Sequence, residues 1–198
     1  MEMLLVISIM IALSAVLVPT VSQLLGRQDM DLVKEELLGA VQLAHSQAIA
    51  SGAAYTVAVT PTGSLLNGEV VVREGEPGQS CGQVATEGRI IRRVVLAPED
   101  SSVDETPALG EVAPRVFKTD VRVVTVVPQD FGAGRVMCFK GDGSMRDPET
   151  NTPVANPDVM APATGDVLIE FQQYRDDAPH GVLNQLIVSY NGVARARY

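Results

Sequence analysis

Residues 2–52 read EMLLVISIMIALSAVLVPTVSQLLGRQDMDLVKEELLGAVQLAHSQAIASG. The stretch divides into two kinds of helical pattern. From 3 to 18 the chain is apolar, interrupted only by Ser8 and Ser14. Beyond Pro19, the residues Met30, Val33, Leu37, Val41, Ala44 and Ala48 step by three and four positions. That spacing makes one apolar stripe, with Asp31, Lys34, Glu35 and Gln42 left for other faces. Gly52 is a helix stop. A helix of about 50 residues would be about 75 Å long. Pro19 removes a backbone donor, so it and Gly26 are expected to kink or loosen the middle.

The rest of the chain is compositionally ordinary. Its 198 residues are 46% hydrophobic, 4% aromatic and carry a formal charge of −9. Taking away the apolar N-terminus leaves about 42% apolar residues, a common globular value. The length suits one domain with a real core, perhaps with appendages. An excess of carboxylates argues against bulk nucleic-acid affinity, which rests on cations that neutralise phosphates. Two Cys and two His leave little material for zinc or thiol chemistry.

Three readings compete for the apolar run. A cleaved secretory signal needs a basic n-region and a small-residue cleavage site, whereas the first charge here is Glu2 and the run ends in Pro19-Thr20-Val21-Ser22-Gln23. A membrane anchor needs about 20 apolar residues, and this run is shorter, although Val21, Leu24 and Leu25 extend it. A buried helix of a soluble protein fits poorly with so one-sided a terminal location. Glu2 discriminates among them, because a carboxylate beside a bilayer segment is costly unless it is paired or at the interface.

The segment from Glu2 to Pro19 resembles the N-terminus of type IV pilins and type II secretion pseudopilins. In that family a Glu near the mature N-terminus is followed 17 positions later by Pro, the spacing of Glu2 and Pro19. The family's leader site, a Gly ahead of a short apolar run, is not among these residues. Residues 35–52 are similar to the end of the helix in the GspH/FimT branch. Residues 134–143 and 187–195 resemble that branch's strand-and-glycine pattern.

The resemblance implies a minor pilin or pseudopilin, at or near the tip of a type IV pilus or type II secretion filament, that promotes assembly. Its partners would be other minor and major pilins or pseudopilins, with a tip adhesin or secreted substrate as a further contact. Before assembly the rod would lie in the bacterial inner membrane with the globular part in the periplasm. Glu2 would pair with a neighbouring subunit's N-terminal ammonium. Residues 1–25 are then the hydrophobic transmembrane or filament-core half of the helix, 26–52 its amphipathic half, and 53–198 the periplasmic domain.

After Gly52 the period switches to two. Tyr55, Val57 and Val59 alternate with Thr56, Ala58 and Thr60, a strand with one buried face. Residues 70–72, 90–96 and 121–127 are β-branched runs, and 167–171 alternates. Leu186, Val188 and Tyr190 lead into the turn signal Asn191-Gly192. With no second βα alternation, a parallel sheet is not expected. The expected fold class is α+β, a long N-terminal helix packed on antiparallel sheet. Acidic residues without period near 98–114 and four prolines near 148–165 mark loop insertions.

Few residues offer chemistry. Cys81 and Cys138, 57 positions apart, match no metal or redox spacing. An oxidising compartment would favour a disulfide, and two separate thiols, with Cys138 buried in a strand at 136–139, are the alternative. His45 and His180 have no nucleophile elbow near them in sequence and read as structural or solvated. Asp142, Ser144 and Asp147 hint at a calcium loop, but Gly141-Asp142-Gly143 reads more simply as a tight turn. No catalytic, cofactor or metal residue is assigned, and an enzyme is not expected.

Arg195 and Arg197 lie on one face of the last strand. Some FimT-like pilins bind DNA through C-terminal arginines, so these two are candidate DNA contacts, opposed by the −9 charge. The remaining alternative is a membrane-anchored periplasmic binding domain outside any filament.

Overall fold

A computed structural model of the chain describes residues 2–60, 68–96, 115–117, 120–127, 135–146, 166–175 and 178–197. Both loop insertions, near 98–114 and 148–165, fall outside these residues. Helix α1 spans Glu2–Ser51 and α2 spans Cys81–Glu87. The strands are β1 (Tyr55–Val59), β2 (Glu69–Glu74), β3 (Arg89–Val95), β4 (Arg115–Val116), β5 (Val121–Val127), β6 (Arg135–Phe139), β7 (Met145–Arg146), β8 (Val167–Arg175), β9 (Ala178–Val188) and β10 (Ala194–Arg197).

The fold class expected from the sequence needs correction. Strands dominate the globular part and form two sheets rather than one. Six strands run in the order β4-β3-β2-β1-β6-β7 and four in the order β10-β9-β8-β5. Pairing is mostly antiparallel, yet β3 and β4 are parallel, Val94 opposite Arg115 and Val95 opposite Val116. Among the described side chains of α1, the buried ones run from Met30 onward. The reason is that alternation marks a strand's buried face but not its partner. β1 pairs with β6 as well as with its neighbour β2, and sheet membership follows from such non-local pairs.

One core joins these layers. Met30, Val33, Leu37, Ala40, Val41, Ala44 and Ala48 of α1 are buried against Val57 and Val72, Met137 and Phe139, and Ile169, Phe171 and Leu186. The stripe of α1 thus meets residues from both sheets, each presenting every second side chain. Backbone bonds tie the sheets together, Met145 N–H donating to Tyr190 O at 2.8 Å and Val121 N–H to Leu96 O at 3.3 Å. At its C-terminus α1 closes on Gly52, whose φ is +71° and whose N–H donates to Ala48 O at 2.9 Å, the left-handed stop that glycine permits.

Ser80 caps α2, accepting from the Gln83 N–H while the Gln83 side chain accepts from the Ser80 N–H. This reciprocal cap satisfies two donors at the helix start. Thr56, in β1, is fully buried and its Oγ1 has no hydrogen-bond partner among the described residues. Desolvating a hydroxyl without a partner is costly, so Thr56→Val, which keeps the branched shape, is expected to stabilise the fold by about 1 kcal/mol. A urea midpoint that fails to rise would show that this oxygen is satisfied.

Candidate functional site

The residues singled out for assembly lie on α1. Its backbone is helical from Glu2, and 17 residues of helix separate Glu2 and Pro19 by about 25 Å. The side chains of Glu2 and Pro19 lie outside the described residues. Before Met30, the described side chains are Val6, Ile7, Met10 and Leu13, and all are between 52% and 65% exposed. Positions 6, 10 and 13 follow one helical face, so these apolar groups form a stripe that the domain does not cover. Among the described residues no helix is long and apolar enough to cross a membrane.

What fastens the packed part of α1 is partly ionic. Glu36 is only 6% exposed; its carboxylate accepts a hydrogen bond from Arg92 of β3 and forms an ion pair with Arg115 of β4. A buried carboxylate needs such compensation, since losing its partners strands a charge away from water. Arg115 also lies 5.5 Å from the Phe117 ring centroid. The sequence reading missed this clamp. Its signal was legible, because Glu36 lies three residues after Val33 and four before Ala40, on the stripe that is otherwise apolar.

His45 fills a second joint, between α1 and two turns. Its ring meets Phe139 edge-on, with centroids 5.7 Å apart. Gly192 leaves room for it, since a Cβ there would lie 2.2 Å from His45 Cδ2. His45 is therefore a packing residue in this site. His180 is exposed on β9. Asp142 accepts from Ser144 N–H at 2.8 Å and from the Ser144 hydroxyl. Those bonds hold its carboxyl below the usual range, with help from Arg146. They make an Asx turn. Asp147, the third member of the calcium idea, lies outside the described residues. Among the described residues, no group of three or more His, Cys, Asp or Glu is placed to hold a metal ion.

Where α1 hands over to β1, Tyr55 is buried and donates its hydroxyl to Glu74 at 2.6 Å, and Arg89 pairs with the same carboxylate. The Tyr55 bond first, and Arg89 second, lower the Glu74 pKa. Burial chiefly, with the bond to Glu74, raises that of Tyr55. A carboxyl depressed in the folded state stabilises it above the unfolded value near 4.5, and that contribution is lost as the pH falls through the folded value. Tyr55→Phe is therefore expected to flatten the loss of urea resistance as the pH falls below about 5. An unchanged acid slope would refute the assignment. Beside this trio lies a cleft of about 360 Å³ whose lining includes Glu74, Glu76, Glu87 and Arg89.

Cys81 and Cys138 are joined by a disulfide, their Cα atoms 5.8 Å apart. With Ala54 and Val84 they make a small buried cluster between α2 and the sheet. Arg195 and Arg197 are both exposed on β10, opposite Ile187 and Gln185 of β9. One strand further in that row, Glu170 accepts from Gln185 at 2.8 Å. The two arginines thus share a face, with a carboxylate on the same sheet. No family model matches the chain, and no curated protein or solved structure matches it either.

Proposed function

We propose that the chain is a non-enzymatic minor pilin or pseudopilin, a structural subunit at or near the tip of a type IV pilus or type II secretion pseudopilus. Its rod would sit in the bacterial inner membrane before assembly, with the globular part in the periplasm, and would then pack among other pilins or pseudopilins. The observation that carries this reading is the segment bounded by Glu2 and Pro19. It is a helical, apolar stretch whose described side chains are exposed rather than packed on the domain. Exposed apolar stripes of this kind are costly in water and ask for a lipid or protein partner.

Glu2 is given the role of pairing with a neighbouring subunit's N-terminal ammonium. In an apolar bundle an unpaired charge is expensive, so the pair would set axial register as well as attraction. Glu2→Ala is expected to lower incorporation into sheared filaments at least tenfold, the effect of about 1.4 kcal/mol. Immunoblotting of filament and membrane fractions checks this, and normal incorporation would remove the role.

A second reading, DNA capture, draws on the exposed pair Arg195 and Arg197. It predicts a salt-dependent DNA shift that Arg195→Ala with Arg197→Ala abolishes. The −9 charge opposes it. For that reason filament assembly is preferred.

A further inference from the structure

β9 is longer than the strand that covers it. β10 pairs only with residues 185–188, so among the described residues no strand lies outside 178–184. Residues 178–183 are all exposed. Val182 is 70% exposed and Leu183 36%. An exposed apolar strand edge of that length is a ready template for another chain.

The same stretch carries a break in its ladder. Between the pairs Phe171–Asn184 and Gln173–His180, β8 contributes Gln172 alone, whereas β9 contributes Gly181, Val182 and Leu183. Gly181 has φ +78°, a conformation glycine adopts freely. Carbonyls within such a break lose their ladder donors and need others. Two side-chain amides supply them. Gln172 Nε2 donates to Gly181 O at 3.2 Å, and Asn184 Nδ2 donates to Val182 O at 2.8 Å. Asn184 is 5% exposed, a buried polar residue whose amide is spent on its own strand. Nearby Pro179 has no N–H to offer a partner.

We propose that this bulge, held by Gln172 and Asn184, closes the open edge of β9 to strand addition by a second copy of the chain. Three residues in the place of one bend the edge and displace its N–H and C=O groups from the spacing a straight partner strand requires. Apolar Val182 and Leu183 can then stay exposed without seeding sheet-to-sheet association.

The test uses the full chain in detergent micelles, with amide hydrogen exchange read over 178–184. Deleting Gly181 and Val182 leaves one residue of β9 opposite Gln172, which keeps every other side chain on its face. In that variant, raising the protein concentration about a hundredfold is expected to slow exchange at the edge about tenfold or more, while wild type does not respond. Adding Leu183→Lys to the deletion should abolish the response, which distinguishes edge pairing from general stickiness. Gln172→Ala with Asn184→Ala should respond in the same direction, and it decides the matter if the deletion does not fold. Concentration-independent exchange in a folded variant overturns the proposal. So does concentration-dependent protection of this edge already present in wild type.

Discussion

Replacing both Cys81 and Cys138 by Ala is expected to cost the folded state about 4 kcal/mol at 25 °C and to lower Tm by about 10 °C. The bond closes a loop with a sequence separation of 57 residues. Chain-entropy reasoning assigns a loop of that length about 4 kcal/mol, most of it from restricting the unfolded ensemble. That is a large share of the about 5–15 kcal/mol by which domains are stable. The damage should also have a local form. α2 has seven residues, of which Cys81 and Val84 are buried, and a helix so short does not stand alone. Amide exchange over 82–87 should accelerate more than exchange in β1 and β2. Equal Tm for oxidised wild type and the double variant would show that the bond contributes nothing.

Gly192→Ala is the second large effect, about 3 kcal/mol of destabilisation. Two penalties combine. The backbone at Gly192 has φ +77°, where an L side chain costs about 1–2 kcal/mol. The added methyl would also lie within 2.6 Å of three atoms of the His45 ring. Retreat is restricted, because that ring is in contact with Phe139 and lies near Gly143. The turn cannot easily yield either, since Gly192 N–H donates to Ser189 O at 2.7 Å and Ser189 N–H to Val193 O at 2.9 Å. A His45→Ala background separates the penalties. There the steric part should disappear and the backbone part remain, giving a coupling of about 1–2 kcal/mol in a double-mutant cycle. A Gly192→Ala cost under about 1 kcal/mol would mean that ring and turn move apart with little resistance.

The pH response of Glu74 and the stability gain from Thr56→Val are smaller, but they bear on the same region. Both residues belong to the sheet close to where α1 ends. The Tyr55–Glu74–Arg89 trio and the Glu36 clamp each attach a carboxylate to arginines of β3, and the clamp takes a further arginine from β4.

Local pattern is legible in this chain. The stripe from Met30 to Ala48 is set by a period of 3.6, and the alternation at Tyr55, Val57 and Val59 by a period of two. Both depend only on neighbours within a few residues. The Ser80–Gln83 capping box is equally local, but the seven residues of α2 make a helix too short to show a period. The Glu36 clamp is not local, because the arginines that compensate it are 56 and 79 positions away.

The sequence by itself determined the N-terminal apolar run, the spacing of Glu2 and Pro19, the helical stripe and the buried faces of several strands. Each is written in short-range pattern, where side-chain period and backbone geometry coincide. Only the tertiary structure decided the division into two sheets, the parallel β3–β4 pair, the joining of Cys81 to Cys138 and the fit of His45 against Gly192. It alone also showed the bulge on β9. These depend on which distant segments meet, and a given alternation pairs equally well with many partners until the whole core is packed.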